Sequence, residues 1–173
     1  MLHHNNFYIL GLPRCRSLWS SFLFTGSNSY CHHEAIHESV TSSSLRPRPL
    51  KDCPLIGSSD TTPLSFDEAL VDDSPLILIH RDLSDVKKAL KKSHGFTQDM
   101  DPTWLLERSH ERLNEIETDN TMHVNYGELS DPNVIRRMLS FTGVQSEPTR
   151  INKMIGSRIV VNNPYLWLLK TTN

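Results

Sequence analysis

The stretch GLPRCRS at positions 11–17 places Arg14, Arg16 and Ser17 in a glycine–proline turn between two apolar runs. An arginine can give two parallel hydrogen bonds to two oxygens of a phosphate, because its guanidinium is a planar fork. If a strand precedes the turn and a helix follows it, the helix dipole and the first free N–H groups attract an anion there. The spacing therefore predicts a phosphate-binding turn. The alternative is that both arginines are solvated and that Ser17 caps the helix.

This turn differs from the usual loop of ATP and GTP sites. A Walker A loop has a glycine, a lysine and then a serine or threonine at its end, whereas Arg16, Ser17 and Leu18 stand at these positions. The chain as a whole has little net charge, because 18 basic and 20 acidic residues give a formal charge of -2. We therefore expect a local anion site, and no binding to nucleic acid or to a membrane.

A second group of reactive residues is the run HEAIH, from His33 to His37. It matches the H-E-x-x-H of zinc metalloproteases, in which two histidines one helical turn apart bind zinc and the glutamate is the base. The flanking stretches GSNSYCHH and ESVTSSS lack the apolar face of a long helix, and only Asp60 and Glu68 offer themselves as a third ligand. We therefore expect no metal here, and zinc proteolysis remains a less favoured alternative.

Short apolar runs alternate with helical patterns, which predicts an α/β domain around a mostly parallel sheet. Continuous apolar stretches predict buried strands at 7–10 and 75–79, and an alternating stretch predicts a strand at 122–126. Four helices are predicted. One follows the strand at 7–10, one follows the strand at 75–79, and two more span 104–117 and 130–143. The residues assigned to the apolar faces of the first three helices are Leu18, Trp19, Phe22 and Leu23; Val86, Ala89 and Leu90; and Leu105, Leu106, Leu113 and Ile116.

The remaining organisation is simple. The helix at 130–143 should begin at Ser130 or Asp131, with Pro132 in its first turn, and end at Gly143. Residues 41–63 are rich in serine, threonine and proline, which predicts a loop-rich insertion, with at most one short strand, in a single domain spanning 1–173. The odd count of 3 cysteines and the absence of a signal-peptide pattern lead us to expect free thiols and a cytoplasmic location.

The turn at 11–17 resembles the 5′-phosphosulfate loop of sulfotransferases. Pro13, Arg14, Ser17 and Trp19 fit that pattern, whereas Cys15 stands where the family usually has serine. Leu18 stands where a second hydroxyl often occurs. The resemblance implies a donor-binding turn whose residues are Pro13, Arg14, Cys15, Arg16, Ser17, Leu18 and Trp19.

Three further regions resemble the same family in the same order. LILIHRDLSDVKKAL is similar to the segment that holds the 3′-phosphate of the donor, with Arg81 as the arginine and Ala89 where a serine is usual. VNYGELSDPNVIRRMLSFTG resembles the late strand and helix of many members. CHHEA, IGSSD and RINKMIGSRIVV resemble the short sulfotransferase-like proteins of bacteria and their phages.

The resemblance implies a three-layer, P-loop NTPase-like α/β domain that uses 3′-phosphoadenosine 5′-phosphosulfate as donor. It implies that Arg14 stabilises the leaving group, that Ser17 holds the 5′-phosphate and that Arg81 holds the 3′-phosphate. The general base would be Glu34 or His33, and His32 is a less favoured candidate. Neighbouring residues in a strand point to opposite faces, so only one of the two should face the sulfuryl group if the strand continues through them.

Two alternatives remain open besides the metalloprotease. Cys15, Ala89 and the absence of a clear C-terminal RKG-type clamp favour a protein that keeps the fold but binds a nucleotide or a partner without turnover. The other alternative is a nucleotide kinase-like enzyme with a divergent phosphate loop. We expect the acceptor to be a small molecule or a polymer with a hydroxyl or an amine group.

Overall fold

A five-stranded parallel sheet forms the centre of the fold in the computed structural model, which describes residues 5–34, 53–66, 73–92 and 103–157. The strand order is β2-β3-β1-β4-β5. The strands are β1 (Asn5–Gly11), β2 (Ser29–His33), β3 (Leu55–Asp60), β4 (Leu76–His80) and β5 (Thr121–Asn125). The α/β class and the parallel sheet predicted from the sequence are therefore confirmed.

Helices connect and cover these strands. Those in the described ranges are α1 (Ser17–Leu23), α2 (Leu83–Lys92), α3 (Thr103–Glu115), α4 (Pro132–Thr142) and α5 (Pro148–Gly156). Short 3₁₀ turns follow β3 at Pro63–Ser65 and β5 at Tyr126–Ser130. The four helices predicted from the sequence are confirmed. Within the described part of the chain, no helix combines the length and apolar character needed to cross a membrane.

The strands β1 and β4 form the middle of the hydrophobic core. Phe7, Ile9 and Leu10 of β1 are buried, as are the residues 76–79 of β4. Both strands are continuous apolar runs because each lies inside a parallel sheet that is covered on both faces. The strands predicted at 7–10, 75–79 and 122–126 are all present, with ends displaced by one or two residues.

The strand β3 is the one short strand that the prediction of a loop-rich insertion at 41–63 allowed. Residues 55–60 form a buried strand between β2 and β1, so this stretch belongs to the middle of the sheet. Its residues are mostly small and polar, so it lacks the continuous apolar run that predicts a buried strand. A side chain at Gly57 would overlap the ring of Phe7, which lies on the adjacent strand, so the sheet requires glycine there. Residues 41–52 lie outside the described residues.

The helices α3 and α4 test the predicted faces and caps. In α3, Leu106 and Leu113 are buried as expected, but Leu105 is 42% exposed, because it lies about 100° around the helix from its neighbour. The cap of α4 is Asp131, whose carboxylate accepts a hydrogen bond from the backbone N–H of Asn133. Its other end is at Gly143, which has a φ of 73°, as the sequence predicted.

The order of the strands determines where a ligand can bind. After β1 the chain passes through α1 to β2 on one side of the sheet, whereas after β4 it leads to β5 on the other side. The turns that follow β1 and β4 therefore diverge at neighbouring carboxyl ends. In open α/β sheets, such a divergence leaves a crevice in which ligands bind. Both of the predicted phosphate-binding segments lie at this edge.

Candidate functional site

The turn after β1 has an unusual backbone. Arg14 and Arg16 both have left-handed conformations, with φ values of 68° and 65°. For residues other than glycine this costs of the order of 1–3 kcal/mol each, and such strain concentrates at functional sites. The N–H of Cys15 donates to the carbonyl of Leu12 at 3.1 Å, and that of Ser20 donates to the carbonyl of Arg16 at 2.8 Å. The turn is thus tightly closed and passes directly into α1.

Arg81 connects the turn after β4 to the turn after β1. Its Nη1 donates a hydrogen bond of 2.6 Å to the carbonyl oxygen of Arg14. A guanidinium carries five N–H donors, so this bond leaves further donors for an anion. Arg14 itself is exposed. The resemblance assigned these two arginines to separate phosphates. The structure brings them together, because the side chain of Arg81 contacts the backbone of Arg14.

The ring of Tyr126 supports both arginine-bearing turns. The guanidinium of Arg81 lies over this ring at 4.1 Å from its centre, and that of Arg16 lies at 5.4 Å. Arg16 also lies 5.2 Å from the ring of Trp19 and donates to the carbonyl of Leu129 at 3.4 Å. Tyr126 belongs to the stretch VNYGELSDPNVIRRMLSFTG, which the resemblance covers, but the sequence alone does not assign this residue to the site. The signal was an aromatic residue directly after β5.

Two residues of the predicted donor loop, Trp19 and Cys15, are buried and pack beneath the turn. The indole N–H of Trp19, which is buried, donates to the carbonyl of Met154 in α5 at 2.7 Å. The side chain of Cys15 is also buried, and burial raises the pKa of its thiol to about 11. The thiol of Cys15 is therefore a neutral group of the core, and a contact of this residue with a donor would have to come from its backbone.

The resemblance also placed Pro13, Leu18 and Ala89 in the donor site. Pro13 and Leu18 are partly exposed within the turn and the first turn of α1. Ala89 is partly buried in α2, between the buried positions Val86 and Leu90. It has no side-chain hydrogen-bonding group, so Ala89 cannot replace the serine of the family pattern.

The carboxyl end of β2 brings the candidate bases to the same place. The Nε2 atom of His33 lies 3.1 Å from Oγ of Ser17 and 3.6 Å from Oε1 of Glu34. Thr61, directly after β3, donates from Oγ1 to the same Glu34 oxygen at 3.1 Å. No local sequence pattern identifies Thr61 as a residue of the site. The buried His32 lies against the ring of Tyr30, with ring centres 4.8 Å apart.

The backbone at His33 and Glu34 decides whether strand alternation applies to the two candidate bases. Alternation along a strand would point the two side chains to opposite faces, but β2 ends at His33, and Glu34 has a φ of 55°. This left-handed residue turns both side chains toward each other. The same geometry excludes a helix beginning at His33, as an H-E-x-x-H zinc site needs, while His37 lies outside the described residues. No group of three or more potential metal ligands occurs in the described ranges.

In comparisons with known proteins, no protein-family model matches the chain, and no curated protein sequence matches it significantly. A fold alone does not define a function, because one fold supports many chemistries. The function of this chain must therefore be inferred from the residues at the carboxyl edge of its sheet.

Proposed function

We propose that the protein is a sulfotransferase on a three-layer, P-loop-like α/β fold. It transfers a sulfuryl group from 3′-phosphoadenosine 5′-phosphosulfate to a hydroxyl or amine acceptor. The observation that carries this proposal is the contact between Ser17 and His33, whose Oγ and Nε2 atoms lie 3.1 Å apart. It joins the basic turn after β1 to the acid–base pair at the end of β2, so an anion in the turn would lie beside a proton acceptor.

The arginines supply the charge that such a reaction needs. Sulfuryl transfer, like phosphoryl transfer, is an in-line displacement in which negative charge builds up on the leaving phosphate. Arg14 stabilises that charge, and Ser17 contributes a hydroxyl to the 5′-phosphate. Fixed cations that act on developing charge are worth more than they are in water, because the site is preorganised. No metal is needed in this scheme.

Arg81 gives the site its preference for a 3′-phosphate. Its bond to the carbonyl of Arg14 and its position over the ring of Tyr126 hold the guanidinium at the edge of the turn. The same contacts also favour a second candidate function, nucleotide binding without turnover. In that case Arg81 serves mainly to hold the turn, and Ala89 offers the 3′-phosphate no hydroxyl.

Calorimetric titration with adenosine 3′,5′-bisphosphate and with ADP tests the proposal. We expect the bisphosphate to bind more tightly, because a lost hydrogen bond to a charged group costs roughly 1.5–3 kcal/mol, which is about 10- to 150-fold in affinity. Arg81→Ala should remove this preference. Arg108→Ala is the matched control, since the guanidinium of Arg108 is exposed on α3 and pairs with Glu111. Equal binding of the two nucleotides by the native protein would favour the kinase-like alternative.

Arg14→Ala distinguishes an enzyme from a binding protein. Only an interaction that strengthens in the transition state lowers kcat, so this change should slow release of the bisphosphate from the donor more than it weakens donor binding. Release is measured with the donor alone and with a panel of phenols and amines. If the native protein binds the donor but releases no bisphosphate under any of these conditions, the second candidate function replaces the first.

A further inference from the structure

The backbone at the end of β2 holds Glu34 in a strained but well-supported conformation. Its φ of 55° is left-handed, which a residue with a side chain rarely adopts. Its N–H donates to the carbonyl of Ser59 at 2.9 Å, which extends the pairing between β2 and β3 by one residue. Strain of this kind persists only where the surroundings determine the conformation. The pairing of β2 with β3 therefore holds the backbone of Glu34, and this sets the direction in which its side chain leaves the sheet.

The contacts of His33 indicate which of its ring nitrogens carries a proton. Nε2 faces two oxygens, Oγ of Ser17 at 3.1 Å and Oε1 of Glu34 at 3.6 Å. An ionised carboxylate can only accept hydrogen bonds, and a hydroxyl can accept as well as donate. A proton on Nε2 can be donated to Oγ of Ser17. It also places the positive edge of the ring opposite the carboxylate, which lies beyond hydrogen-bond distance, whereas a bare nitrogen would face the carboxylate with a lone pair. A protonated Nε2 cannot take a proton from an acceptor.

Thr61 supplies the second contact to the carboxylate. Its hydroxyl donates to Oε1 of Glu34 at 3.1 Å, from the first residue after β3. The adjacent Thr62 differs, because its hydroxyl is buried and has no hydrogen-bonding partner within the described residues. One of two neighbouring threonines thus holds the carboxylate, and the other gives a matched control.

We propose that Thr61 is a positioning residue that orients Glu34 as the proton acceptor, and that His33, protonated on Nε2, connects this carboxylate to Ser17 of the anion-binding turn. This inference rests on the proposed function. In the reaction, the acceptor oxygen or nitrogen forms a bond to sulfur, while the bond from sulfur to the 5′-phosphate oxygen breaks and its electron pair leaves with the bisphosphate. The acceptor proton passes to Glu34, which later releases it to solvent.

The proton on His33 can be tested without any reaction. We expect ¹⁵N NMR of the ligand-free protein at neutral pH to show Nε2 of His33 protonated, with His33→Gln used to assign the signals. A ring protonated on Nδ1 alone would overturn the inference and leave the proposed function standing, because His33 would then be free to act as the base through Nε2.

Kinetics of conservative variants test the role of Thr61. Thr61→Val keeps the shape and removes the hydroxyl, so kcat for release of the bisphosphate should fall roughly tenfold with the donor KM unchanged. This is less than the approximately 10²- to 10⁴-fold loss expected for Glu34→Gln. Thr61→Ser should restore the rate, and Thr62→Val should leave it unchanged.

The possible outcomes separate the inference from the proposed function. Native activity in Thr61→Val, or failure of Thr61→Ser to restore the rate, would overturn the positioning role while transfer itself remained. A fall in both Thr61→Val and Thr62→Val would mean a structural effect and would also overturn it. If the native protein transfers sulfate to no acceptor and not to water, the proposed function and the role of Glu34 fail together, even if Nε2 of His33 is protonated.

Discussion

Replacing Tyr126 by leucine should weaken anion binding, because this ring holds two arginines of the site. The guanidinium of Arg81 lies 4.1 Å from the ring centre and that of Arg16 lies 5.4 Å from it. A cation over an aromatic ring is worth about 0.5–1 kcal/mol when exposed and about 2 kcal/mol when desolvated. Both guanidinium groups are only partly buried, so the nearer contact should dominate and the sum should be about 1–2 kcal/mol.

This energy corresponds to about a 5- to 30-fold increase in the Kd for adenosine 3′,5′-bisphosphate. The measurement is calorimetry at one fixed ionic strength, since salt screens partly exposed charges. Tyr126→Phe is the control, because it keeps the ring and removes only the hydroxyl. Equal Kd values for the leucine and phenylalanine variants would contradict this prediction, and they would mean that the arginines are held by the backbone contacts alone.

Three further predictions concern the core, the thiols and pH. Gly57→Ala should lower the free energy of unfolding by about 1–3 kcal/mol, measured by urea denaturation, because the added methyl group overlaps the ring of Phe7. Cys53, which is partly exposed, should react first with a thiol reagent, whereas Cys15, whose pKa is raised to about 11 by burial, should react only on unfolding. Burial lowers the pKa of His80 below 6.5, so the unfolded chain binds more protons there, and the free energy of unfolding should fall as pH decreases from 6.5 through the lowered pKa.

Each of these predictions has a control within the chain. Gly127→Ala adds the same methyl group where no atom outside the local backbone lies within 4 Å, so it should be close to neutral. Equal stability of the Gly57 and Gly127 variants would contradict the first prediction. Labelling of Cys15 in the folded protein at the rate of Cys53 would contradict the second. His80→Gln should reduce the loss of stability on acidification, and an unchanged pH dependence would contradict the third.

The elements that could be predicted from the sequence are those whose signals are local. A continuous apolar run predicts a buried parallel strand, which is why β1 and β4 were found. The caps of α4 were predicted because Asp131 and Gly143 satisfy the backbone at the two helix ends through contacts within a few residues. The basic turn was also evident from sequence, since Arg14 and Arg16 are separated by one residue and lie directly after β1.

Which of these elements contact one another depends on the tertiary fold. The pairing of β3 with β1 depends on Gly57 making room for Phe7, a contact between distant parts of the chain that no local pattern records. The same holds for Tyr126 beneath Arg81 and for Thr61 beside Glu34, because strand order and register bring these residues together.

The two candidate bases, His33 and Glu34, show most directly what a local sequence pattern does not predict. Alternation along a strand predicted that His33 and Glu34 would face opposite ways, and this is correct only while the strand continues. The left-handed conformation of Glu34 ends β2 and turns its carboxylate toward Nε2 of His33, at 3.6 Å. A left-handed conformation at a residue other than glycine has no sequence signature, because it is stabilised by the surrounding structure, here by the bond to the carbonyl of Ser59 and by the hydroxyl of Thr61.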